Sequence, residues 1–284
     1  MSRLVKRRAA NTTLNLPDSM HPLLRRVYSQ RKIKDVEELD LGLEKLIPPE
    51  QFKGINEAVQ LLIDALQQQQ RVLIVADFDA DGATSCVVAL KALRQFGFQH
   101  TDYIVPNRFD YGYGLTPEIV ELAKTRSPDL IITVDNGISS IEGVAAAKAA
   151  GIKTLITDHH LPGATAPDAD AIVNPNQHGC NFPSKSIAGV GVIFYVMLAL
   201  RAKLRETSWF EENRLAQPKL ADLLDLLALG TVADVVALDR NNRILVSEGL
   251  RRIRGGRTRP GITSLLEIAG RSSARLTASD LGFS

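Results

Sequence analysis

RVLIVADFDADGATSCVVALKALRQF, residues 71–96, decides how the rest of the chain is read. An unbroken apolar run, Val72 to Ala76, stops on Asp77, and a helical pattern follows. A short continuous apolar segment ending in a turn is the mark of a strand buried on both faces. The spacing predicts a helix from Gly82 to Phe96, stopped by Gly97. Between strand and helix, three carboxylates sit at alternate positions, Asp77, Asp79 and Asp81.

The same plan recurs downstream. DLIITVD and IKTLITD are apolar runs that end on Asp135 and Asp158, TDYIVP reads as a further strand, and DADAIVNPN as a short last one. Thr116-Pro117-Glu118 carries a capping hydroxyl, a proline for the first turn and an acid for the positive end of the helix dipole. A helix from about residue 139 to 150, stopped by Gly151, separates the next two strands. Strands alternating with helices predict an α/β fold with a parallel sheet and right-handed crossovers. Asp77, Asp135 and Asp158 then share the carboxyl edge of the sheet, where open α/β sheets place their chemistry.

Outward from this core the character changes. Residues 1–54 read as a basic helical lead-in, 55–180 as the α/β core, and 181–284 as its helical continuation. IAGVGVIFYVMLALRAKL is apolar nearly all round and so predicts a buried helix, with Gly189 and Gly191 permitting close approach at its start. PKLADLLDLLALGTVAD predicts a second helix that leads to Asp234, and NNRILVSEGLRRIR a third.

At 284 residues and 45% hydrophobic composition, one large or two unequal domains are expected. No secretory signal and no apolar stretch long enough for a membrane span is found, so a soluble cytoplasmic protein is expected. Cys86 and Cys180 are too few for a zinc site or disulfide framework and read as buried free thiols. The net charge of +2 conceals a segregation: residues 1–34 and 240–275 are rich in Lys and Arg, and the middle is acidic. Such flanks suit an enzyme acting on a polyanion, or are solvated surface.

Like charges as close as those of DFDADG repel unless a cation or donors neutralise them. The segment lacks the late Glu of an EF-hand loop and runs from strand to helix, which excludes that motif. TDHHLPG adds His159 and His160 directly after a strand-ending Asp158, whereas His21, His100 and His178 read as structural. Carboxylates with one or two imidazoles favour Mn²⁺ or Mg²⁺. The number of carboxylates exceeds the need of one ion and points to two, about 3.5 to 4 Å apart, serving phosphoester hydrolysis.

DFDADG, VDNG, DHH and GTVAD, in this order, resemble the four motifs of the DHH phosphoesterase superfamily. NRFDYGYGL, ITDHHLPG, IVNPN, CNFPSKSIAGVGV and LLALGTVADVVALDRNNR are similar to its branch of single-strand-specific 5′ to 3′ DNA exonucleases. The resemblance implies that Asp79, Asp81, Asp135, His159 and Asp234 hold the two ions, with Asp135 as the bridge. His160 would meet the scissile phosphate and Asp158 would support the histidines. Asp77 would be an outer ligand or stand behind the ligands. Arg108 would hold the 5′-terminal phosphate, with an ion pair to Asp110 as the alternative. Tyr111 and Tyr113 would stack on bases or shape their loop. The implied substrate is single-stranded DNA with a 5′ end, in repair and recombination, with a single-strand-binding protein and a helicase as partners.

Members of that branch continue into a second domain with a Gly-Gly-His motif and an OB-type module. No Gly-Gly-His occurs here, so the expectation is an N-terminal catalytic portion of a longer protein. The competing readings are a DHH hydrolase of small substrates (short oligonucleotides, cyclic dinucleotides or pyrophosphate) and a DHH scaffold without catalysis.

Overall fold

The computed structural model describes residues 15–31, 33 and 35–282. Contacts divide the chain into compact units of residues 1–45 and 46–284. The described part of the first unit contains α1 (Pro22–Gln30), capped by the His21 imidazole, which accepts from Leu23 N at 3.2 Å. Two short 3₁₀ turns follow, Val36–Leu39 and Leu43–Lys45. Much of the basic lead-in, residues 1–14 with Lys32 and Lys34, lies outside the described residues.

The second unit opens with α2 (Ile55–Gln67) and is built on a parallel sheet of β1 (Val72–Ala76), β2 (Thr101–Ile104), β3 (Leu130–Val134), β4 (Lys153–Thr157) and β5 (Ala171–Val173). Every residue of β1 and β3 is buried, as their continuous apolar runs require. The strand order is β2-β1-β3-β4-β5. Connections therefore leave β1 in one direction and return in the other, so right-handed crossovers put their helices on opposite faces. α3 (Ala80–Phe96) packs on β1, and a short α4 (Arg108–Tyr111) precedes α5 (Pro117–Lys124). α5 and α6 (Ile141–Ala149) cover the face that carries Leu73, Val75, Ile131 and Ile156. This reversal makes the carboxyl ends of β1 and β3 the walls of a crevice, the position at which such sheets bind ligands.

After the sheet come α7 (Gly189–Glu206), α8 (Trp209–Glu212), α9 (Leu224–Ala233), α10 (Arg240–Arg254), α11 (Pro260–Ile268) and α12 (Ala278–Gly282). α3 packs against both α7 and α9, so the helical stretch after residue 181 belongs to the same compact unit as the sheet. α7 is buried along most of its length, as expected from its sequence. α3 starts at Ala80, two residues before the expected Gly82, because the Asp79 carboxylate caps it by accepting from Gly82 N at 3.0 Å. No helix of the described residues is long and apolar enough to cross a membrane. Cys86 and Cys180 are buried free thiols, and burial pushes the Cys86 thiol up to about 12.

Candidate metal centre

The first acidic segment is folded by its own turn. A side chain on Gly82 would meet the Asp77 carbonyl oxygen at 2.3 Å, so only glycine lets the chain turn from β1 into α3 this tightly. Asp79 caps the helix, and Asp81, in its first turn, is buried and points back to the start of α7. Gly189 N donates to Asp81 Oδ2 at 2.6 Å and Val190 N donates to Oδ1 at 2.9 Å. Each carboxylate oxygen keeps a further lone pair for a cation.

Asp135 ends β3 with φ of +62°, a left-handed conformation that costs a non-glycine residue about 1–3 kcal/mol and collects at functional sites. Its neighbour maintains it: Asn136 Nδ2 donates to the carbonyls of Val75 at 3.1 Å and Val134 at 2.9 Å, tying the ends of β1 and β3 together. Gly189 lies against this turn, where a Cβ would come within 2.7 Å of Asp135 Oδ1. α9 approaches as closely, since a Cβ on Gly230 would lie 2.3 Å from Thr84 Oγ1 and 3.0 Å from Asp81 Oδ1. That approach delivers Asp234, the residue that ends α9, to the other carboxylates.

His159 joins them. Its Nε2 lies 3.1 Å from Asp135 Oδ1, 3.5 Å from Asp234 Oδ2 and 3.9 Å from Asp81 Oδ2. Asp135, His159 and His160, then Asp81, His159 and Asp234, then Asp77, Asp79 and Asp135 form three groups whose ligand-type atoms lie within 4.8 Å of one another. His159 Nε2, Asp135 Oδ1 and Asp234 Oδ2 are buried without a hydrogen bond, a costly arrangement unless a cation satisfies them. Burial, then the charges of Asp79, Asp158 and Asp234, push the Asp135 carboxyl up to about 10. Asp81 is raised by burial and by Asp135, and Asp234 by burial against the opposing effect of His159. Orphaned donor atoms, hard oxygen ligands with one imidazole, and acids unable to ionise together all fit Mn²⁺ or Mg²⁺.

His160 lies at the edge of this group and docks on Asp158. Its Nδ1 lies 2.7 Å from Asp158 Oδ1, which also accepts from the backbone N–H groups of His159 and His160, and Ile138 N donates to Asp158 Oδ2 at 2.9 Å. Burial alone would raise the Asp158 carboxyl, but the His160 contact and these N–H groups hold it below its ordinary value. Donating its hydrogen bond to Asp158 raises His160 in return. Tyr113 Oη lies 3.1 Å from the same imidazole, while Tyr111 packs on the core below α5 and α6. A cleft of about 500 Å³ opens beside His160, between the starts of α5 and α6.

Two sequence expectations change here. Arg108 does not pair with Asp110, whose carboxylate accepts from Asn107 Nδ2; its Nη2 donates to Asp77 Oδ1 at 2.9 Å and Oδ2 at 2.8 Å. Both oxygens of Asp77 thus accept from the arginine, while one of them also lies within 4.8 Å of ligand-type atoms of Asp79 and Asp135. The arginine-rich segment after residue 240 is largely a set of internal ties. Arg251 pairs with Glu248, Arg252 with Asp222, Arg259 with the buried Asp225, Arg271 with Asp280, and Arg254 donates to the Leu276 carbonyl. Asn136, which ties the ends of β1 and β3, and Gly230, which lets α9 approach α3, do not stand out by residue type, because an asparagine in a turn looks the same whether it caps, turns or clamps.

Residues 71–231, which carry the acidic, histidine-bearing crevice at the reversal of the five-stranded parallel sheet, match the model of the DHH family, N-terminal domain. The chain belongs to the DHH family. Among its relatives is the single-stranded-DNA-specific exonuclease RecJ of Salmonella typhimurium, 55% identical over 281 residues, which cover 99% of this chain and 49% of that protein. The chain thus spans about half the length of the curated relatives it matches. Two solved structures of RecJ from Thermus thermophilus share the fold. The complex with Mn²⁺ has a TM-score of 0.70 and 31% identity, over 90% of this chain and 34% of that one. The complex with Mg²⁺ has a TM-score of 0.59 and 28% identity, over 90% and 31%.

Proposed function

We propose that this chain carries the chemistry of a single-stranded-DNA-specific exonuclease that removes nucleotides from the 5′ end. The carrying observation is the set of buried, orphaned donor atoms, His159 Nε2, Asp135 Oδ1 and Asp234 Oδ2, at the crevice between β1 and β3. The relatives named single-stranded-DNA-specific exonucleases support the substrate.

In this reading Asp79, Asp81, Asp135, His159 and Asp234 would hold two Mn²⁺ or Mg²⁺ ions, and Asp135 belongs to two of the three ligand groups. Bound divalent ions act as Lewis acids toward phosphoryl oxygens and lower the pKa of nearby water. The residues of the chain do the placing. Asp158 is ionised and accepts from His160 Nδ1, which fixes the ring; the other nitrogen, 3.2 Å from Tyr113 Oη, would turn to an oxygen of the scissile phosphate when the strand is bound. Arg108, anchored on Asp77, offers its remaining N–H groups to the 5′-terminal phosphate. Hydrolysis forms a bond from phosphorus to the oxygen of water and breaks the bond to the 3′ oxygen, which leaves as a hydroxyl. The shortened strand again ends in a 5′-phosphate, the group that Arg108 receives. Residues 55–180 supply most of the ligands, and 181–284, as a helical continuation of the same catalytic domain, supply Asp234 and the start of α7 behind Asp81. The setting is cytoplasmic DNA repair and recombination, with a single-strand-binding protein and a helicase as partners.

The test is digestion of a 5′-phosphorylated, 3′-labelled single-stranded oligonucleotide with Mn²⁺, beside Asp79→Ala and Asp135→Ala proteins and a matched duplex. Stepwise loss from the 5′ end, absent in both variants and on the duplex, is expected. Cleavage retained by either variant overturns the ligand assignment.

A further inference from the structure

The double histidine is gripped through its main chain. The last bond of the ladder between β4 and β5 runs from Asp158 N to the Val173 carbonyl at 3.2 Å. Beyond it the two strands separate, and the carbonyls of His159 and His160 have no strand to pair with. Side-chain amides from the neighbouring chain segment take over. Asn174 Nδ2 donates to the His160 carbonyl at 3.0 Å, and Asn176 Nδ2 donates to the His159 carbonyl at 2.6 Å. The two amides are linked, since Asn176 N donates to Asn174 Oδ1 at 2.7 Å in a turn whose centre is Pro175. Asn174 is fully buried. The turn is itself fixed from outside: Lys185 Nζ donates to the carbonyls of Pro175 at 2.5 Å and Cys180 at 2.8 Å.

We propose that Asn174 and Asn176 are positioning residues that set the directions of the two histidines, an inference that rests on the function proposed above for His159 and His160. Adjacent side chains leave a backbone in different directions, and here they must serve different tasks. The His159 ring enters the carboxylate group, whereas the His160 ring docks on Asp158. Small rotations of the peptide units at 159 and 160 move either nitrogen by more than a metal ligand tolerates. An amide on each successive carbonyl removes that freedom. Aspartate has nearly the same shape but turns the donor into a carboxylate facing a carbonyl oxygen, so Asn→Asp reverses the interaction with little change of volume.

The experiment uses the full chain with Mn²⁺ alone as the probe. Asn176→Asp and Asn176→Ala, at a half-buried position, are compared with wild type by calorimetric Mn²⁺ titration and, in metal-free protein, by the carbonyl ¹³C and imidazole resonances of His159 and His160. Lys185→Met is the control, since it loosens the same loop and leaves both amides in place. The expected result is a 10–100-fold loss of Mn²⁺ affinity for both Asn176 variants, the range for groups that orient a metal ligand. The His159 carbonyl and ring signals shift with it, and Lys185→Met keeps an affinity near wild type. Asn174→Asp, if it folds, shifts the His160 signals instead. Unchanged Mn²⁺ affinity in folded Asn176 variants overturns the proposal, as does an equal loss in Lys185→Met. If wild type binds no Mn²⁺, the functional reading fails, and the metal-free spectra still decide the clamp: unmoved ring signals in the Asn176 variants overturn it.

Discussion

The carboxylate of Asp77 receives Nη2 of Arg108 on both of its oxygens, although the two residues are 31 positions apart and lie on different elements. The first acid of DFDADG thereby orients the Arg108 guanidinium beside the carboxylate cluster. Charge-assisted hydrogen bonds are worth about 1.5–3 kcal/mol, roughly 10–150-fold. Arg108→Ala is therefore expected to reduce the preference for 5′-phosphorylated over 5′-hydroxyl oligonucleotides by that order. Asp77→Asn should reduce it less and leave Mn²⁺ affinity largely intact. Relative kcat/KM on the two substrates and a Mn²⁺ titration measure this, and loss of Mn²⁺ binding in Asp77→Asn would return Asp77 to the ligands.

The crowded carboxylates should make metal-free stability depend on pH. Asp81, Asp135 and Asp234 are raised above their ordinary values, Asp135 to about 10. A raised carboxyl binds its proton more tightly in the folded state, so its contribution is fully present below about pH 3.9 and is lost as pH rises toward the folded value. Melting temperatures of metal-free protein should fall between pH 5 and 9. Mn²⁺ at 100 times its Kd should add about 2.7 kcal/mol, or roughly 5–10 °C. Thermal melts of wild type and Asp135→Asn check this, and the variant should lose most of the Mn²⁺ response.

The pair formed by Asp158 and His160 has the opposite sense on its acid side. Asp158 is lowered, so its contribution is present above about pH 3.9 and is lost as pH falls through its folded value. His160 is raised, so its contribution is complete below about pH 6.5 and is lost as pH rises through its folded value. The pair is at full strength between those limits. In an NMR titration of the imidazole signals, His160 should titrate above the ordinary histidine value in wild type. In Asp158→Asn it should fall back toward the ordinary value, because the hydrogen bond that raises it is lost.

Two glycines at helix starts predict opposite outcomes. At Gly189 a Cβ would lie 2.7 Å from Asp135 Oδ1, so Gly189→Ala should destabilise by about 1–3 kcal/mol and weaken Mn²⁺ binding. At Gly261, near the start of α11, a Cβ would meet nothing within 4 Å, and Gly261→Ala should stabilise by about 0.5–1 kcal/mol. Urea denaturation of both variants, with a Mn²⁺ titration, separates the two cases.

Much of the fold is legible in the sequence because it is local. RVLIVAD, DLIITVD and IKTLITD are strands by composition and end on the acids that line the crevice, as expected. The start of α3 departs from its helical pattern by two residues because Asp79 acts as a cap as well as an acid, and one residue type does not reveal which use the fold makes of it. The arginines after residue 240 look, in sequence, like a field for a polyanion. Their partners are 30 or more residues away in some cases, as for Arg252 with Asp222 and Arg259 with Asp225, and no local pattern announces such pairs.

The sequence by itself determined the alternation of strand and helix, the parallel sheet and the residues able to hold a cation, since apolar periodicity and ionisable chemistry are properties of short segments. Only the tertiary structure decided which of those residues meet. Asp234 reaches Asp81 because Gly230 lets α9 pass close to α3, Arg108 finds Asp77 and not its neighbour Asp110, and the amides of Asn174 and Asn176 replace a strand where β4 and β5 part. These are contacts between segments far apart in the chain, set by how closely whole elements pack, and packing distance is not written in any one of the segments.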